Sequence, residues 1–274
     1  MITGLSIPLE KEKIPKNVNI QTYLPTKQLS PFIKTYLVIE SQHEMVNRVL
    51  PGTSLVMAFR YKGEVNYLEN DSTISLPPFV VSGLRKSGRL INYSKNAGNI
   101  LAIFKETGAA AFFTEPVHEL FENSYPLYNF KGYKNLSILE SQLASTFDNT
   151  ERVQLVEQFL LSKLNTQTTD KLVLTALQKI EAGNGTIKMK DLASSLYISQ
   201  DAFEKRFRKA VGAPAKQFSS IVRMNSLIHK KRKSQTLTDT AFDAGYFDQP
   251  HFNKDFKLFT GQTPTDFFKS PRLW

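Results

Sequence analysis

The stretch DAFEKRFRKAVG at residues 201–212 is answered by PHFNKDFKLFTG at residues 250–261, 49 positions later. Phe203, Phe207 and Gly212 become Phe252, Phe256 and Gly261, and Phe218 becomes Phe267 at the same offset. Lys205 and Arg208 are echoed by Lys254 and Lys257. Upstream the offset changes. Ala193 answers to Ala241 and Ile198 to Tyr246 at 48, so one residue has been gained or lost in between. A length change confined to a turn, with strict register in the helix that follows, is how two copies of a supersecondary unit diverge. Each copy reads as a short helix, a turn and a second helix. Two such units joined by one long helix suit a protein that lays two helices in successive turns of a DNA groove.

In the first unit the pattern predicts a short helix over 190–196 with Leu192, Ala193 and Leu196 inward, a turn at Tyr197 and Ile198, and Ser199 as the cap of a second helix. Along that helix Phe203, Phe207 and Val211 face the core, while Gln200, Asp201, Glu204, Lys205 and Arg208 face outward. The second unit repeats the plan. Thr236 and Asp239 form a capping pair, Ala241 sits at the crossing, Gly245 and Tyr246 turn the chain, and Asp248 caps. Phe252, Phe256 and Phe259 go inward; Gln249, His251, Asn253, Lys254 and Lys257 look out. Gln and Asn pair bidentately with adenine, Lys reaches guanine or phosphate, and helix N-termini leave amides facing phosphates. The linking helix, from Ala215 to about Lys233, spans roughly 28 Å at 1.5 Å per residue. That approaches the ~34 Å between successive major-groove faces.

Other readings stand beside these. The repeated phenylalanines read as core. The run His229 to Lys233 ends a helix, where the dipole favours cations whether or not they touch phosphate. His251 is a DNA contact or simply exposed. Asp201 and Glu204 could accept from cytosine or be bystanders that weaken DNA affinity.

Charge segregates with the repeat. The 274 residues carry a formal net charge of +10. Residues 166–274 hold 18 Lys and Arg against 10 Asp and Glu, whereas residues 1–165 hold 17 against 15. A basic module on a nearly neutral one is the footprint expected of a polyanion binder. Cysteine is absent, which excludes disulfides, thiol catalysis and Cys-ligated zinc and suits a reducing compartment. The N-terminus has no apolar signal-peptide core, and no apolar run approaches the roughly 20 residues of a membrane span. A cytoplasmic location is expected.

Residues 1–125 read as strands and turns. The β-rich runs 35–39, 54–61, 79–82 and 100–104 alternate with Pro51-Gly52, Lys62-Gly63, Asn70-Asp71, Pro77-Pro78 and Ala97-Gly98-Asn99. Such punctuation suggests a sandwich or barrel. Ser30-Pro31 opens a helical turn or an edge strand, and Pro116 to Tyr128 reads as a brief helix with a loop. From Leu136 the period becomes helical. Leu136, Leu139 and Leu143 share one stripe; Val153, Val156, Phe159 and Leu160 share a second, after a break at 148–150. These stripes pack within the chain or against a second subunit. Asp170 is placed to cap the next helix, whose face of Val173, Ala176, Leu177 and Ile180 ends at Gly183-Asn184-Gly185.

On these residues the chain from 171 to 270 resembles the DNA-binding domain of the AraC/XylS family of bacterial transcription regulators. The run from Ala241 to Lys257, followed by Gly261-Gln-Thr-Pro264 and Phe267, follows the family signature; Asp191 to Ala193 and Ser199 to Gly212 match its first unit. The resemblance implies a seven-helix domain that reads a promoter through both helix-turn-helix units. Carried over by position, the base-facing residues are Gln200, Asp201, Glu204 and Lys205, then Gln249, Pro250, His251, Asn253 and Lys254. The chain departs from the pattern in three places. Pro214 falls one place earlier than Pro264, Lys188 stands where a Ser-like cap is usual, and two acids sit on the first recognition helix. Leu29 to Tyr36, Leu50-Pro-Gly52, Ser82-Gly83 and Phe104 to Phe113 resemble sensor domains of Bacteroidetes-type members. Those are expected to be β-rich and to act on the DNA-binding part through a small ligand and dimerisation.

The expected fold is α+β: residues 1–130 a β-rich, cupin-like sandwich or barrel, 134–165 a helical connector and dimerisation candidate, 170–270 the all-α DNA-binding domain. The expected function is sequence-specific promoter binding, as activator or repressor, with double-stranded DNA, a small-molecule effector, RNA polymerase and a second copy of the chain as partners. Two other classes remain open. One is a non-specific architectural DNA binder, recognised by salt-dependent binding without sequence preference. The other is a cupin-like metalloenzyme, for which only His43 and His118 lie in the first domain, too far apart in sequence for a local ligand motif. No phosphate loop, nucleophile elbow or paired-carboxylate motif is present, and no cofactor or catalytic residue is expected. Arg48, Arg60, Arg85 and Arg89 could meet an anionic effector, or be solvated.

Overall fold

A computed structural model of the chain describes residues 18–69, 72–165, 170–231 and 235–269. Its first part is built from β1 (Val18–Tyr23), β2 (Ile33–Ser41), β3 (Met45–Val49), β4 (Val56–Lys62) and β5 (Val65–Glu69). It continues with β6 (Ser72–Ser75), β7 (Phe79–Ser82), β8 (Arg89–Tyr93), β9 (Gly98–Phe104) and β10 (Ser124–Pro126). Six of them form a sheet in the order β1-β2-β9-β4-β7-β10, and four form a second in the order β3-β8-β5-β6. All pairings are antiparallel, so both sheets can present one face to a core and one to water. The runs expected at 35–39, 54–61, 79–82 and 100–104 are β2, β4, β7 and β9, the central strands of the larger sheet.

Alternation along β4 shows which face is which. Met57 and Phe59 are buried while Val56, Ala58 and Arg60 are half-buried. The buried set joins Tyr36, Val38, Ile100, Ala102 and Phe104 in the main core. Two helices cover that face, α1 (Ser137–Ser145) and α2 (Asn149–Lys163). Leu139, Leu143, Val153, Val156 and Leu160 are buried there, so both apolar stripes are used within the chain. Phe159 meets the Phe59 ring edge-on at 5.9 Å. Buried Glu157 accepts from the Thr26 amide at 2.8 Å, and buried Arg152 stacks on Tyr61 at 4.0 Å while donating to the Leu143 carbonyl. The break at 148–150 is the start of α2, because the Asp148 carboxylate accepts from the Glu151 amide.

The brief helix expected within 116–128 is a 3-10 turn, and one turn expectation is corrected. Residues 116–128 form no α-helix: a 3-10 turn at Val117–Leu120 leads into β10, which pairs with β7, and a second 3-10 turn follows at Leu127–Asn129. The turn before β9 is made by Asn96, at φ 59°, and Gly98 already belongs to the strand. Ser30-Pro31 lies in a turn ahead of β2. The Asn70-Asp71 turn lies outside the described residues.

The remaining helices are α3 (Lys171–Ala182), α4 (Met189–Ser195), α5 (Gln200–Val211) and α6 (Ala215–Lys230). After them come α7 (Leu237–Asp243), α8 (Gln249–Thr260) and α9 (Pro264–Lys269). Their core is continuous with that of the first part: Phe203, Phe207, Phe218, Phe252 and Phe256 belong to the same buried cluster as Tyr36 and Phe104. No helix among the described residues is long and apolar enough to cross a membrane.

Candidate nucleic-acid interface

The two recognition helices are set by the same local devices. In the first unit Ile198 donates to the Ala193 carbonyl at 3.2 Å; in the second Tyr246 donates to that of Ala241 at 3.0 Å. Ala193 and Ala241 are both buried, and their small side chains let the helices cross closely. Ser199 caps α5 by accepting from Ala202, and Asp248 caps α8 by accepting from His251 at 2.7 Å. Thr236 caps α7 by accepting from the Asp239 amide at 3.1 Å, and its hydroxyl donates to the Asp239 carboxylate at 2.6 Å, so the two form the pair that the spacing implied. At the equivalent position Lys188 provides no side-chain cap to α4. Both recognition helices end on a left-handed glycine, Gly212 at φ 83° and Gly261 at φ 76°.

With Phe203, Phe207, Val211, Phe252, Phe256 and Phe259 buried, the opposite faces are left to water. Gln200, Asp201, Lys205 and Arg208 are exposed on α5; Gln249, Pro250, His251, Asn253, Lys254 and Lys257 are exposed on α8. Glu204 differs. It is half-buried, and its carboxylate accepts from the Ala215 amide at 3.2 Å. It thereby caps the linking helix α6, whose own cap residue Pro214 has no side chain for the task.

Two charged groups that sequence reasoning passed over hold the units in place. Arg206 makes two hydrogen bonds of 2.9 Å to Asp170, which also caps α3 through the Leu172 and Val173 amides. Burial opposes the Asp170 charge, yet Arg206 and these amides together hold its carboxyl below the usual carboxylate range. In the second unit Asp255 accepts from the Tyr246 hydroxyl at 3.2 Å and lies 3.6 Å from Arg223 of α6 and 3.4 Å from His251. Arg223 stacks on the Tyr246 ring at 4.2 Å. Burial pushes the Tyr246 hydroxyl pKa up. The helix α8 is therefore fastened to the linker by a side-chain knot. The signal for it was a charged residue, Asp255, next to the buried Phe256.

The C-terminal ends of both recognition helices turn toward the β part. Gly88 donates its amide to the Phe259 carbonyl at 2.9 Å, and Arg48 donates to that of Thr260 at 3.1 Å. A Cβ on Gly212 would lie 3.0 Å from the Val117 carbonyl oxygen. Asn225 of α6 donates to the Pro51 carbonyl. The N-terminal ends, with their exposed polar residues, point away from these contacts.

The linking helix ends at Lys230, so its 16 residues span about 24 Å. That is shorter than the sequence reading, and part of the His229–Lys233 run lies outside the described residues. Lys230 donates to the Asn184 side chain and Lys231 to the Gln235 carbonyl. Among the described residues no three His, Cys, Asp or Glu side chains come together as a metal site.

Two family models match the chain: "Helix-turn-helix domain" over residues 192–270 and "Domain of unknown function (DUF6597)" over residues 21–126. None of the curated proteins compared with the chain matches it. Among solved structures, ToxT from Vibrio cholerae is similar at 11% identity and a TM-score of 0.42, covering 93% of this chain and 98% of ToxT. The C-terminal domain of AraT, a response regulator from Geobacillus stearothermophilus, is similar at 17% identity and a TM-score of 0.36, covering 39% of this chain and 92% of that one. Residues 192–270 thus match a helix-turn-helix domain and hold the two helix-turn-helix units, and residues 21–126, which match the domain of unknown function, form the β-rich part.

Proposed function

We propose that the chain reads a promoter with both helix-turn-helix units, α5 and α8 entering successive major grooves of one duplex. The observation that carries this reading is that each helix keeps its C-terminal end at the β part and leaves its capped N-terminal end, with Gln, Asn and Lys side chains, in water. Gln200, Lys205 and Arg208 form the reading and phosphate-contacting set of α5, with Asp201 at its edge. Glu204 drops out of base readout because its carboxylate serves the α6 amide. On α8 the set is Gln249, Pro250, His251, Asn253, Lys254 and Lys257.

The N-terminal domain acts as the regulatory part. At one end of the sandwich Arg89 stacks on Tyr67 at 4.1 Å and meets Glu69 at 3.1 Å, and the hydroxyls of Tyr67, Ser82 and Ser124 are joined in one network. These hydroxyls bridge the two sheets, and a small polar effector at this end would compete for their hydrogen bonds. The loop that leads from Ser82 to Arg89 also carries Gly88, whose amide holds α8, so an effector at this end would act directly on the second unit. A second copy of the chain and RNA polymerase are the further partners of this reading, and the cytoplasm is its setting. It is the reading of a binding protein, not of an enzyme.

The test is selection of bound sequences from random duplex DNA with the full chain, followed by competition with unrelated duplex. A selected site that survives a large excess of competitor supports the reading. Equal, salt-sensitive binding to every duplex would replace it with an architectural role.

A further inference from the structure

The two units match element by element, and the comparison isolates one residue. At an offset of 48, α4 corresponds to α7, the left-handed Tyr197 to the left-handed Gly245, and Ile198 to Tyr246. At an offset of 49 the cap Ser199 corresponds to Asp248 and α5 to α8. The extra residue therefore stands between Tyr246 and Asp248, and it is Phe247. Tyr246 is buried and Asp248 caps the helix, whereas the Phe247 side chain is 91% exposed. Folding makes almost no use of that ring. It stands two residues before Gln249, which with Pro250 and His251 is exposed at the start of α8.

A phenylalanine can neither donate nor accept a hydrogen bond. In the major groove the one apolar feature of a base edge is the C5 methyl of thymine, a known contact for Phe. We propose that Phe247 is a base-contacting residue of the second unit, packing its ring on a thymine methyl at the edge of the sequence read by α8. The second unit then has an apolar specificity position with no counterpart in the first. The inference rests on the reading of α8 as a groove-inserted helix.

The experiment uses the full chain and its selected duplex. The half-site of the second unit is the one whose sequence preference relaxes in Lys254→Ala. Each thymine in it is replaced in turn by uracil, which removes only the methyl group, and affinity is measured for the unmodified protein, Phe247→Ala and Phe247→Leu. One replacement should weaken the unmodified protein about four-fold, the worth of one methyl group withdrawn from water. The same replacement should leave Phe247→Ala indifferent, and Phe247→Leu should keep part of the sensitivity. A flat uracil scan with the unmodified protein, or an equal loss in Phe247→Ala, overturns the assignment while leaving α8 as the reading helix. Failure of the unmodified protein to select any sequence overturns both.

Discussion

Arg48 of β3 reaches the carbonyl oxygen of Thr260, the last residue of α8, with its Nη1 at 3.1 Å. Two residues of the β part, Arg48 and Gly88, thus satisfy two carbonyls at a helix end whose last-turn acceptors have no partner within the helix. A cation at that end also meets the negative pole of the helix dipole. Arg48→Ala should cost about 1.5–3 kcal/mol, the range of a charge-assisted hydrogen bond. Hydrogen exchange should quicken most along α8; unchanged protection there would show that Arg48 does not hold the helix.

The pair Asp170–Arg206 makes stability depend on pH with a defined sign. The folded-state pKa of Asp170 lies below that of an unfolded carboxyl, about 3.9. Its contribution is therefore complete above that value and is lost as pH falls through the lower folded-state pKa. Asp170→Asn keeps a capping side chain on α3 but removes the charge that Arg206 meets. The difference in urea midpoint between the two proteins should be full near neutrality and shrink in acid. A difference that persists undiminished in acid would assign the effect to the cap.

Tyr197 occupies, at φ 54°, the turn position that Gly245 fills in the second unit at φ 75°. A left-handed backbone costs an L-residue roughly 1–2 kcal/mol, and the Tyr197 side chain is 99% exposed and gains nothing in return. Tyr197→Gly should raise stability by up to about 1 kcal/mol, since part of the relief is offset by the entropy of an unfolded glycine. A thermal melt checks this; a clear loss of stability would mean that Tyr197 has a partner in solution.

Lys254 and Lys257 lie one turn apart on the exposed face of α8 and should behave differently. Lys254, nearer the inserted end, should cost about 1–3 kcal/mol on truncation to alanine, with relaxed preference at one base position. Lys257→Ala should weaken all duplexes alike and reduce the salt slope by about one. Uniform weakening by both variants would make both residues phosphate contacts.

How far each part could be read in advance follows from what its residues spend their chemistry on. The helix-turn-helix pair was legible because core positions repeat as phenylalanines and caps repeat as Ser199 and Asp248. The central strands β2, β4, β7 and β9 were legible because one or both faces are buried. By contrast β6, Ser72–Ser75, is exposed at every position, and β3 at a sheet edge carries Asn47 and Arg48, so neither shows the alternation of a half-buried strand. The interdomain contacts were invisible for another reason: their acceptors are the backbone carbonyls of Pro51, Phe259 and Thr260, which no side-chain identity reports. Glu204 read as an outward acid because helical period alone cannot show that the next helix begins beside it.

The central claim, that both units read one duplex together, is tested most directly by the spacing within the selected DNA site. Insertion of α5 and α8 in successive major grooves predicts two blocks of sequence preference about 10–10.5 base pairs apart, centre to centre, in the site bound by one chain. Lys205→Ala should weaken preference in one block and Lys254→Ala in the other. A single block that both variants affect, or a site with no preference at all, would contradict it.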